Sequence, residues 1–328
     1  MPTAPVIHGR CQNSVTDPKY SIPLINGGYS AETDLRFKEL SYANERDPKL
    51  KRWFIRSIEG LSGRDRYARL YDIWRSDIVG KTDRVFGKML DLIDVELDVQ
   101  GAWLPPMEEG RPLVIVANHP FGIGDGIAVL AMAEQLGRPF RVLINDELLK
   151  VPEMAPYSLP VSFEETKEAL AINMKTRHEA LRLLQEGVTI IIFPAGGVAT
   201  AKKGFGAAQD LPWKIFPAKL VQSAKADVVP VYFEGQNGPL FHIASRLSLT
   251  LRLSLLIREF KRLSGSTIRA RAGAMMRWEE LSAIKDRKDL LTVLHEAVFS
   301  MRPVKRSKLA EFQERRQAAK EALRREAA

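Results

Sequence analysis

The chain has 328 residues, 45% of them hydrophobic, and it carries a formal net charge of +9. This length allows one large α/β domain or two smaller ones, and the hydrophobic content excludes an intrinsically disordered protein. The single cysteine, Cys11, excludes an internal disulfide framework and a cysteine-rich zinc site. The sequence shows neither a signal-peptide pattern nor the roughly 20 apolar residues that cross a bilayer, so we expect a cytoplasmic protein without a transmembrane helix.

The positive charge is concentrated towards the C-terminal end. Residues 302–328 contain nine Lys or Arg and four Asp or Glu, a surplus of five positive charges. A basic balance is typical of proteins that meet anionic lipid, nucleic acid or an acidic carrier protein. A solvated basic helix explains the tail equally well.

The first third of the chain predicts helices. Residues 1–35 are rich in Pro, Gly, Asn, Thr and Ser without a steady period, which indicates an irregular arm. Residues 36–95 show helical spacing of apolar side chains, and KTDRVFGKMLDLIDVEL, which ends at Leu97, continues that pattern. The stretch 101–110 is a turn-rich connection.

The rest of the chain alternates short β-rich runs with helical ones. Helices are predicted from Asp125-Gly126 to Gly137, over 164–187, in PAKLVQSAKA, and from 279 onwards. Strands separated by helices predict an α/β fold with a largely parallel central sheet flanked by helices. We expect a single domain over 36–300, with its main blocks at 113–276 and a basic helical tail at 301–328. The predicted strands are LVIVA (113–117), RVLIN (141–145), VTIIIF (188–193), VVPVYF (228–233) and STIRARAGAMM (266–276).

A histidine follows the first of these strands, in VIVANHPFGIGDG (114–126). Open α/β sheets bind ligands at the carboxyl ends of their strands, which is where His119 falls. A neutral histidine can accept a proton from a hydroxyl, and a carboxylate can orient it through its other ring nitrogen. Asp125 reaches His119 only if the loop folds back, which Gly122 and Gly124 allow. A chance pair in which Asp125 caps a helix remains an alternative.

NHPFGIGDG resembles the first signature block of the glycerol-phosphate and lysophospholipid acyltransferase superfamily. The five residues between His119 and Asp125 resemble a bacterial branch described as hemolysin-like or ornithine-lipid acyltransferases. Further similar segments follow in the expected order, so the resemblance covers roughly residues 65–276. They are the second block LINDELLKVPEMAP (143–156), which helps form the acceptor site, the third block IIIFPAGGVAT (190–200), the fourth block VVPVYFEGQN (228–237), and LRLSLLIREF (251–260).

The third block departs from the family pattern. Ala195 follows Pro194 where the family has glutamate, and residues 198–200 lack the arginine sought there. Because those charges help to bind the acceptor's phosphate in the family, an amino-acid-derived or other lysolipid becomes the more plausible acceptor. Backbone N–H groups of 195–198 can still bind an anion. The candidate substrate-binding residues are Asn118, Gly122, Gly124, Pro194, Ala195, Gly196, Gly197, Lys202 and Lys203, the two lysines as replacements for the missing arginine charge.

The resemblance implies direct acyl transfer. His119 acts as general base on a lysolipid hydroxyl, Asp125 orients it, and the hydroxyl attacks the thioester of acyl-CoA or acyl-carrier protein, which are co-substrates. Asn118 and loop amides are candidates for stabilising the oxyanion. We expect no cofactor and no metal, because the five histidines lie far apart in sequence. His242, just after the fourth block, is a weaker candidate for the site.

A lipid acceptor implies a protein bound peripherally to the inner face of the plasma membrane, and no nucleic acid partner is expected. Four aromatic residues mixed with Arg and Lys form one candidate membrane face, although core packing is the more common role of such residues. Two other functions stay open: a thioesterase or lipid hydrolase that uses water as acceptor, and a non-catalytic binding module. The four aromatic residues are Trp53, Phe54, Trp74 and Trp103.

Overall fold

A computed structural model describes residues 64–146, 149, 151–162, 166–247 and 249–303. The predicted arm at 1–35, the predicted helix before residue 64 and the tail beyond residue 303 lie outside these residues. The division of the whole chain into arm, domain and tail therefore stays a prediction.

Seven strands form one sheet in the order β1-β7-β6-β2-β5-β3-β4. The five strands from β6 to β4 run parallel to one another, while β7 pairs antiparallel with β6 and parallel with β1. The predicted α/β fold with a mostly parallel sheet is confirmed. The strands are β1 (Val95–Gly101), β2 (Leu113–Ala117), β3 (Phe140–Asn145), β4 (Ser158–Val161), β5 (Thr189–Ile192), β6 (Asp227–Phe233) and β7 (Ser266–Ala272).

Helices cover both faces of the sheet. A π-helical segment, Trp74–Ile78, continues the first helix, and a 3₁₀ helix, Pro152–Tyr157, precedes β4. Within the described residues, no helix is long and apolar enough to span a bilayer. The α-helices are α1 (Arg64–Ile73), α2 (Val85–Leu92), α3 (Ile123–Glu134), α4 (Lys167–Gln185), α5 (Phe216–Ala224), α6 (Pro239–Leu247), α7 (Leu249–Leu263), α8 (Trp278–Leu281) and α9 (Arg287–Phe299).

Strand β2 is apolar throughout because it packs against helices on both faces of the sheet. Successive side chains of a strand point to opposite faces of the sheet. Ile115 and Ala117 pack in the core that includes α1, α2 and α3, whereas Val114 and Val116 pack in the core that includes α4, α5 and α9. All five residues of β2 are buried, as expected for a parallel strand covered on both faces.

The prediction of helix up to Leu97 is wrong from Val95 onwards. Asp94 has φ 57°, a left-handed conformation that ends the helical run, and the next seven residues form β1. Each residue of β1 pairs with a residue of β7 about 170 positions later in the chain, from Val95 opposite Ser266 to Gly101 opposite Ala272. A local helical period carries no information about such a distant partner.

Several other elements also differ from the predictions. Strand β4 was not predicted; it has four residues, contains Pro160 and lies at the sheet edge, where proline is tolerated. Helices α6 and α7 occupy a stretch for which only a family-like segment was noted. Strand β7 ends at Ala272, and the predicted continuous helix after 279 is interrupted between α8 and α9.

A buried carboxylate joins the start of β6 to two neighbouring segments. Asp227 accepts hydrogen bonds from Nε and Nη2 of Arg111 at 2.8 and 3.1 Å, from Nη1 of Arg277 at 3.1 Å, and from the backbone N–H of Trp278 at 2.7 Å. Only 3% of the Asp227 side chain is exposed.

We expect Asp227→Asn to lower the free energy of unfolding by about 3 kcal/mol, because it removes one partner of a buried ion pair. Urea unfolding measures this change. Asp91→Asn, which removes an exposed carboxylate paired with Lys88, is the control and should change the unfolding free energy by less than about 0.5 kcal/mol. Equal stability of the two variants would contradict the assignment.

Candidate active site

Three adjacent strands end at the same edge of the sheet. Strand β2 lies between β6 and β5 and runs parallel to both, so their carboxyl ends meet. Asn118 and His119 follow β2, the third block follows β5, and Glu234 follows β6. The first, third and fourth blocks are thus adjacent in space, at the edge where open α/β sheets bind ligands.

The structure brings His119 and Asp125 into contact. Nδ1 of His119 lies 2.9 Å from Oδ1 of Asp125. Neither atom has another hydrogen-bond partner among the described residues. The Asp125 side chain is 0% exposed and that of His119 is 17% exposed. The contact fixes one imidazole nitrogen on a buried carboxylate and leaves the ring partly accessible.

The loop between the two residues turns back through one glycine. Gly122 has φ 87°, in the region that only glycine adopts readily, and it is the N-cap of α3. Asp125 is in the first turn of α3, where a negative charge is favourable, and its Oδ2 accepts the Phe121 N–H at 2.8 Å. Both carboxylate oxygens of Asp125 are therefore used, one for the loop and one for His119.

Gly124 serves a different purpose from the expected one. Its φ is not positive; instead, a Cβ at this position would overlap Cδ1 of Leu263, the last residue of α7. The absence of a side chain lets α7 pack closely against the first turn of α3. Gly124 is thus a packing position beside the site, and among the two glycines only Gly122 needs the unusual backbone conformation.

The imidazole of His119 is held in place from several sides. Its ring packs against Phe193, with centroids 4.2 Å apart. The His119 carbonyl accepts the N–H of Ala199 at 2.7 Å, and its own N–H donates to Oδ1 of Asp210 at 3.3 Å. With Nδ1 on Asp125, Nε2 is the nitrogen left to accept a proton from a ligand in this geometry.

The side chain of Asn118 is hydrogen-bonded to the backbone of β6. Its Nδ2 donates to the carbonyl of Phe233 at 2.9 Å, and its Oδ1 accepts the Phe233 N–H at 2.6 Å. The side chain is buried. Because both polar atoms are used, the amide ties the end of β2 to β6 and positions the next residue, His119.

Asp210 was not found from the sequence. Its carboxylate accepts the His119 N–H and, at 3.1 Å, Nε1 of Trp213. Burial raises the pKa of the Asp210 carboxyl. The residue lies 91 positions after His119 in a stretch without helical or strand periodicity, so no local pattern indicates its place.

The third block forms a turn next to His119. Pro194 and Ala195 are buried, and Gly196 has φ 66°. The Gly196 N–H donates to the carbonyl of Phe193 at 3.0 Å, whereas the N–H groups of Gly197 and Val198 have no acceptor among the described residues. Of the four backbone N–H groups predicted to bind an anion, those of Ala195, Gly197 and Val198 therefore have no acceptor among the described residues.

The charge near this turn comes from a residue that was not predicted. Lys202 and Lys203 are exposed. Arg252 of α7 donates from Nη2 to the carbonyl of Val198 at 2.6 Å. It lies in the family-like segment 251–260, but nothing in that segment indicates which of its two arginines meets the third block.

The second block begins at the carboxyl end of β3, which runs parallel to β5 and ends at the same sheet edge. Of the second block, the first three residues end β3 and Pro152–Tyr157 form the 3₁₀ helix. Trp74 is buried in the core and is therefore not part of the suggested membrane face, whereas Trp103 is half-buried; Trp53 and Phe54 lie outside the described residues. Among the described residues, no cluster of His, Cys, Asp or Glu is arranged to hold a metal ion.

Residues 103–303 match a family model described as "Acyltransferase". Because the match covers more than half of the chain, the protein belongs to this acyltransferase family, which confirms the superfamily that the sequence blocks resemble. The hemolysin-like or ornithine-lipid branch stays a prediction.

Two curated relatives are named lyso-glycine lipid O-acyltransferase. The one from Phocaeicola vulgatus is 27% identical over 177 residues, 51% of this chain and 58% of the relative. The one from Bacteroides thetaiotaomicron is 32% identical over 158 residues, 47% of this chain and 53% of the relative. The chain thus spans a little over half the length of the curated relatives that it matches.

One solved structure with partial similarity is that of the 1-acyl-sn-glycerophosphate acyltransferase PlsC from Thermotoga maritima. The TM-score is 0.42 at 18% sequence identity, with 76% of this chain and 89% of that chain covered.

His242 links the turn after the third block to α6. Its side chain is buried, and Nδ1 accepts the N–H of Ala201 at 3.4 Å. Burial lowers the pKa of this imidazole, so the folded protein favours the neutral form.

Because the unfolded chain binds a proton at His242 more readily, this residue should stabilise the fold above about pH 6.5 and lose that effect as the pH falls towards 5. His242→Asn keeps an acceptor near Ala201 and does not titrate. We expect its unfolding free energy to fall less between pH 7 and pH 5 than that of the wild type in urea unfolding. His178→Asn, at an exposed position, should keep the wild-type slope, and an unchanged slope in His242→Asn would contradict this assignment.

Proposed function

We propose that this protein transfers a fatty acyl group from a thioester to the hydroxyl of a lysolipid, with His119 as the general base and Asp125 as its partner. The observation that carries the proposal is the 2.9 Å contact between Nδ1 of His119 and the buried Asp125 carboxylate, at the edge where β2, β5 and β6 end, in a chain of an acyltransferase family. The names of the two lyso-glycine lipid relatives support the lysolipid acceptor.

In this mechanism the proton on Nδ1 faces Asp125, and Nε2 accepts the proton of the acceptor hydroxyl. The hydroxyl oxygen attacks the thioester carbonyl and forms a C–O bond. The tetrahedral intermediate then breaks its C–S bond, and the thiolate takes the proton back from Nε2. Asp125 stabilises the imidazolium that forms between the two steps. An ester and a free thiol leave, and no net proton remains on the enzyme.

Backbone groups rather than Asn118 are the better candidates for the oxyanion. The Asn118 side chain is buried and uses one N–H and its oxygen for hydrogen bonds to Phe233, while the N–H groups of Ala195, Gly197 and Val198 have no acceptor among the described residues. Asn118 acts in this proposal as a positioning residue that holds His119 against the adjacent strand.

The acceptor in this proposal carries an amino-acid headgroup, as in a glycine or ornithine lipid. Ala195 replaces the glutamate of the family block, and residues 198–200 contain no arginine, which argues against the family's usual phosphate-bearing acceptor. The relatives' printed names point the same way. The donor is acyl-CoA or acyl-carrier protein, and the protein acts at the inner face of the plasma membrane.

His119→Ala should lower the rate of acyl transfer by about 10²–10⁴-fold, because it removes the general base. Asp125→Asn should cost a similar factor, because an asparagine NH₂ group in place of the carboxylate favours the wrong histidine tautomer. The assay uses purified protein with labelled acyl-CoA or acyl-carrier protein and lyso-glycine or lyso-ornithine lipid. Circular dichroism establishes that each variant is folded.

His178→Ala is the matched control, since it removes an exposed histidine on α4. Wild-type turnover by folded His119→Ala would overturn the proposed mechanism. Release of free fatty acid at the same rate with and without lysolipid would identify a thioesterase or hydrolase. Lipid binding with no turnover on either thioester would identify a non-catalytic module.

A further inference from the structure

Arg252 is a half-buried cation beside the third block. Its Nη2 donates to the carbonyl of Val198 at 2.6 Å, and its guanidinium carbon lies 5.7 Å from the centre of the Phe241 ring. Among the described residues, no carboxylate lies within ion-pair distance of it. The other N–H groups of its guanidinium have no acceptor there either.

A desolvated positive charge without a counter-ion is costly. Burial lowers the pKa of Arg252, yet an arginine stays protonated at neutral pH. The site therefore favours an anion from outside the chain.

The surroundings of Arg252 suit such an anion. A Cβ at Gly197 would lie 3.6 Å from Nη2 of Arg252, so the glycine leaves room beside the guanidinium. The N–H groups of Gly197 and Val198 are also without acceptors among the described residues. The next residue, Ala199, bonds to the His119 carbonyl, so the cation adjoins the residue proposed as the base.

We propose that Arg252, which lies outside the third block, binds the carboxylate of the acceptor headgroup. This inference rests on the proposed function and specifies its substrate class. A guanidinium presents paired N–H groups that match a carboxylate in a bidentate fashion, and one cation balances its single negative charge.

The test measures binding as well as turnover, with a lysolipid that has a free carboxylate and with its uncharged methyl ester. Wild-type protein should bind the carboxylate form about 10- to 100-fold more tightly than the ester. In Arg252→Gln this preference should disappear, because affinity for the carboxylate falls while affinity for the ester stays. Arg252→Lys should retain part of the preference, because it keeps the charge and loses the paired geometry.

Arg258→Gln, on the same helix and exposed, is the matched control and should keep the wild-type preference. An undiminished preference in folded Arg252→Gln would overturn the inference, whatever its turnover. Binding of lysophosphatidate is measured as well. If Arg252→Gln loses affinity only for lysophosphatidate, the inference is also overturned, because Arg252 then binds phosphate. Absence of turnover in the wild type would count against the proposed function alone, since the binding ratios are measured without a donor.

A separate observation concerns an exposed apolar surface next to the same turn. Helix α6 buries Phe241, His242 and Ala244 and exposes the opposite side. We call this exposed surface the α6 face and define it by its apolar and basic residues. They are Phe205, Leu240, Ile243 and Leu247, with Lys202, Lys203 and Arg246.

The α6 face is continuous across two segments. Leu240, Ile243 and Leu247 follow a spacing of three and four residues, which places them on one stripe of the helix. A Cβ at Gly204 would lie 3.4 Å from Ile243 and 3.6 Å from Arg246, so the turn that carries Phe205 adjoins this stripe. Phe205 is 70% and Leu247 is 73% exposed.

We infer that the α6 face docks on an anionic lipid bilayer. Large exposed apolar side chains enter the boundary between headgroups and acyl chains, and nearby Lys and Arg bind anionic headgroups. The stretches 199–209 and 235–258 contain no Asp or Glu, so no acidic residue of these segments opposes an anionic surface. The turn that carries Phe205 is also bonded to His119 through Ala199, which brings the proposed base close to the membrane.

Vesicle flotation tests this docking with phosphatidylcholine vesicles and with vesicles that also contain phosphatidylglycerol. The double variant Phe205→Ser/Leu247→Ser should lower partitioning onto the mixed vesicles by about 10-fold or more. Lys202→Gln/Lys203→Gln should reduce the dependence on phosphatidylglycerol and on salt.

Leu170→Ser/Met174→Ser is the matched control, because these residues are 59% and 50% exposed on α4 and should not affect flotation. Equal flotation of the wild type and Phe205→Ser/Leu247→Ser would overturn the docking face. An equal loss of vesicle binding in the α4 control would also overturn the docking face. So would a stable protein dimer that forms through the α6 face and does not bind vesicles.

Discussion

The organisation of the site depends on the burial of β2 on both faces between two parallel strands. Helices cover each face of the sheet, so every residue of β2 is apolar and the first polar side chains appear only where the strand ends. Parallel pairing with β5 and β6 places three such ends together. Asn118 strengthens this arrangement by bonding the end of β2 to Phe233 of β6. His119 therefore emerges at a fixed position.

The buried carboxylate of Asp125 orients the imidazole of His119. A fully buried negative charge requires partners, and Asp125 has the Phe121 N–H on one oxygen and His119 on the other. The first interaction closes the loop, and the second orients the imidazole. The same side chain thus contributes to local folding and to the proposed proton transfer. Asp210 adds a half-buried carboxylate that accepts the backbone N–H of His119.

Helix α7 brings to the third block a positive charge that the block itself lacks. With the family's glutamate and arginine absent, the turn at residues 194–200 carries no charged side chain. Arg252 comes to this turn from a helix more than 50 residues away and bonds to Val198. Close packing of α7 at Gly124 helps to fix that helix beside the first block. In the proposed mechanism, α7 therefore links acceptor recognition to the base.

The sequence by itself determined the alternating strands and helices, the strand that ends before His119, and the family blocks, because these depend on local periodicity and on short motifs. Gly122 could be assigned from its place in the loop, whereas the packing role of Gly124 could not. Only the tertiary structure decided that β1 is a strand, that Asn118 is occupied, and that Asp210, His242 and Arg252 adjoin the site. Each of these depends on contacts between segments far apart in the chain, and their positions are set by how the helices pack on the sheet.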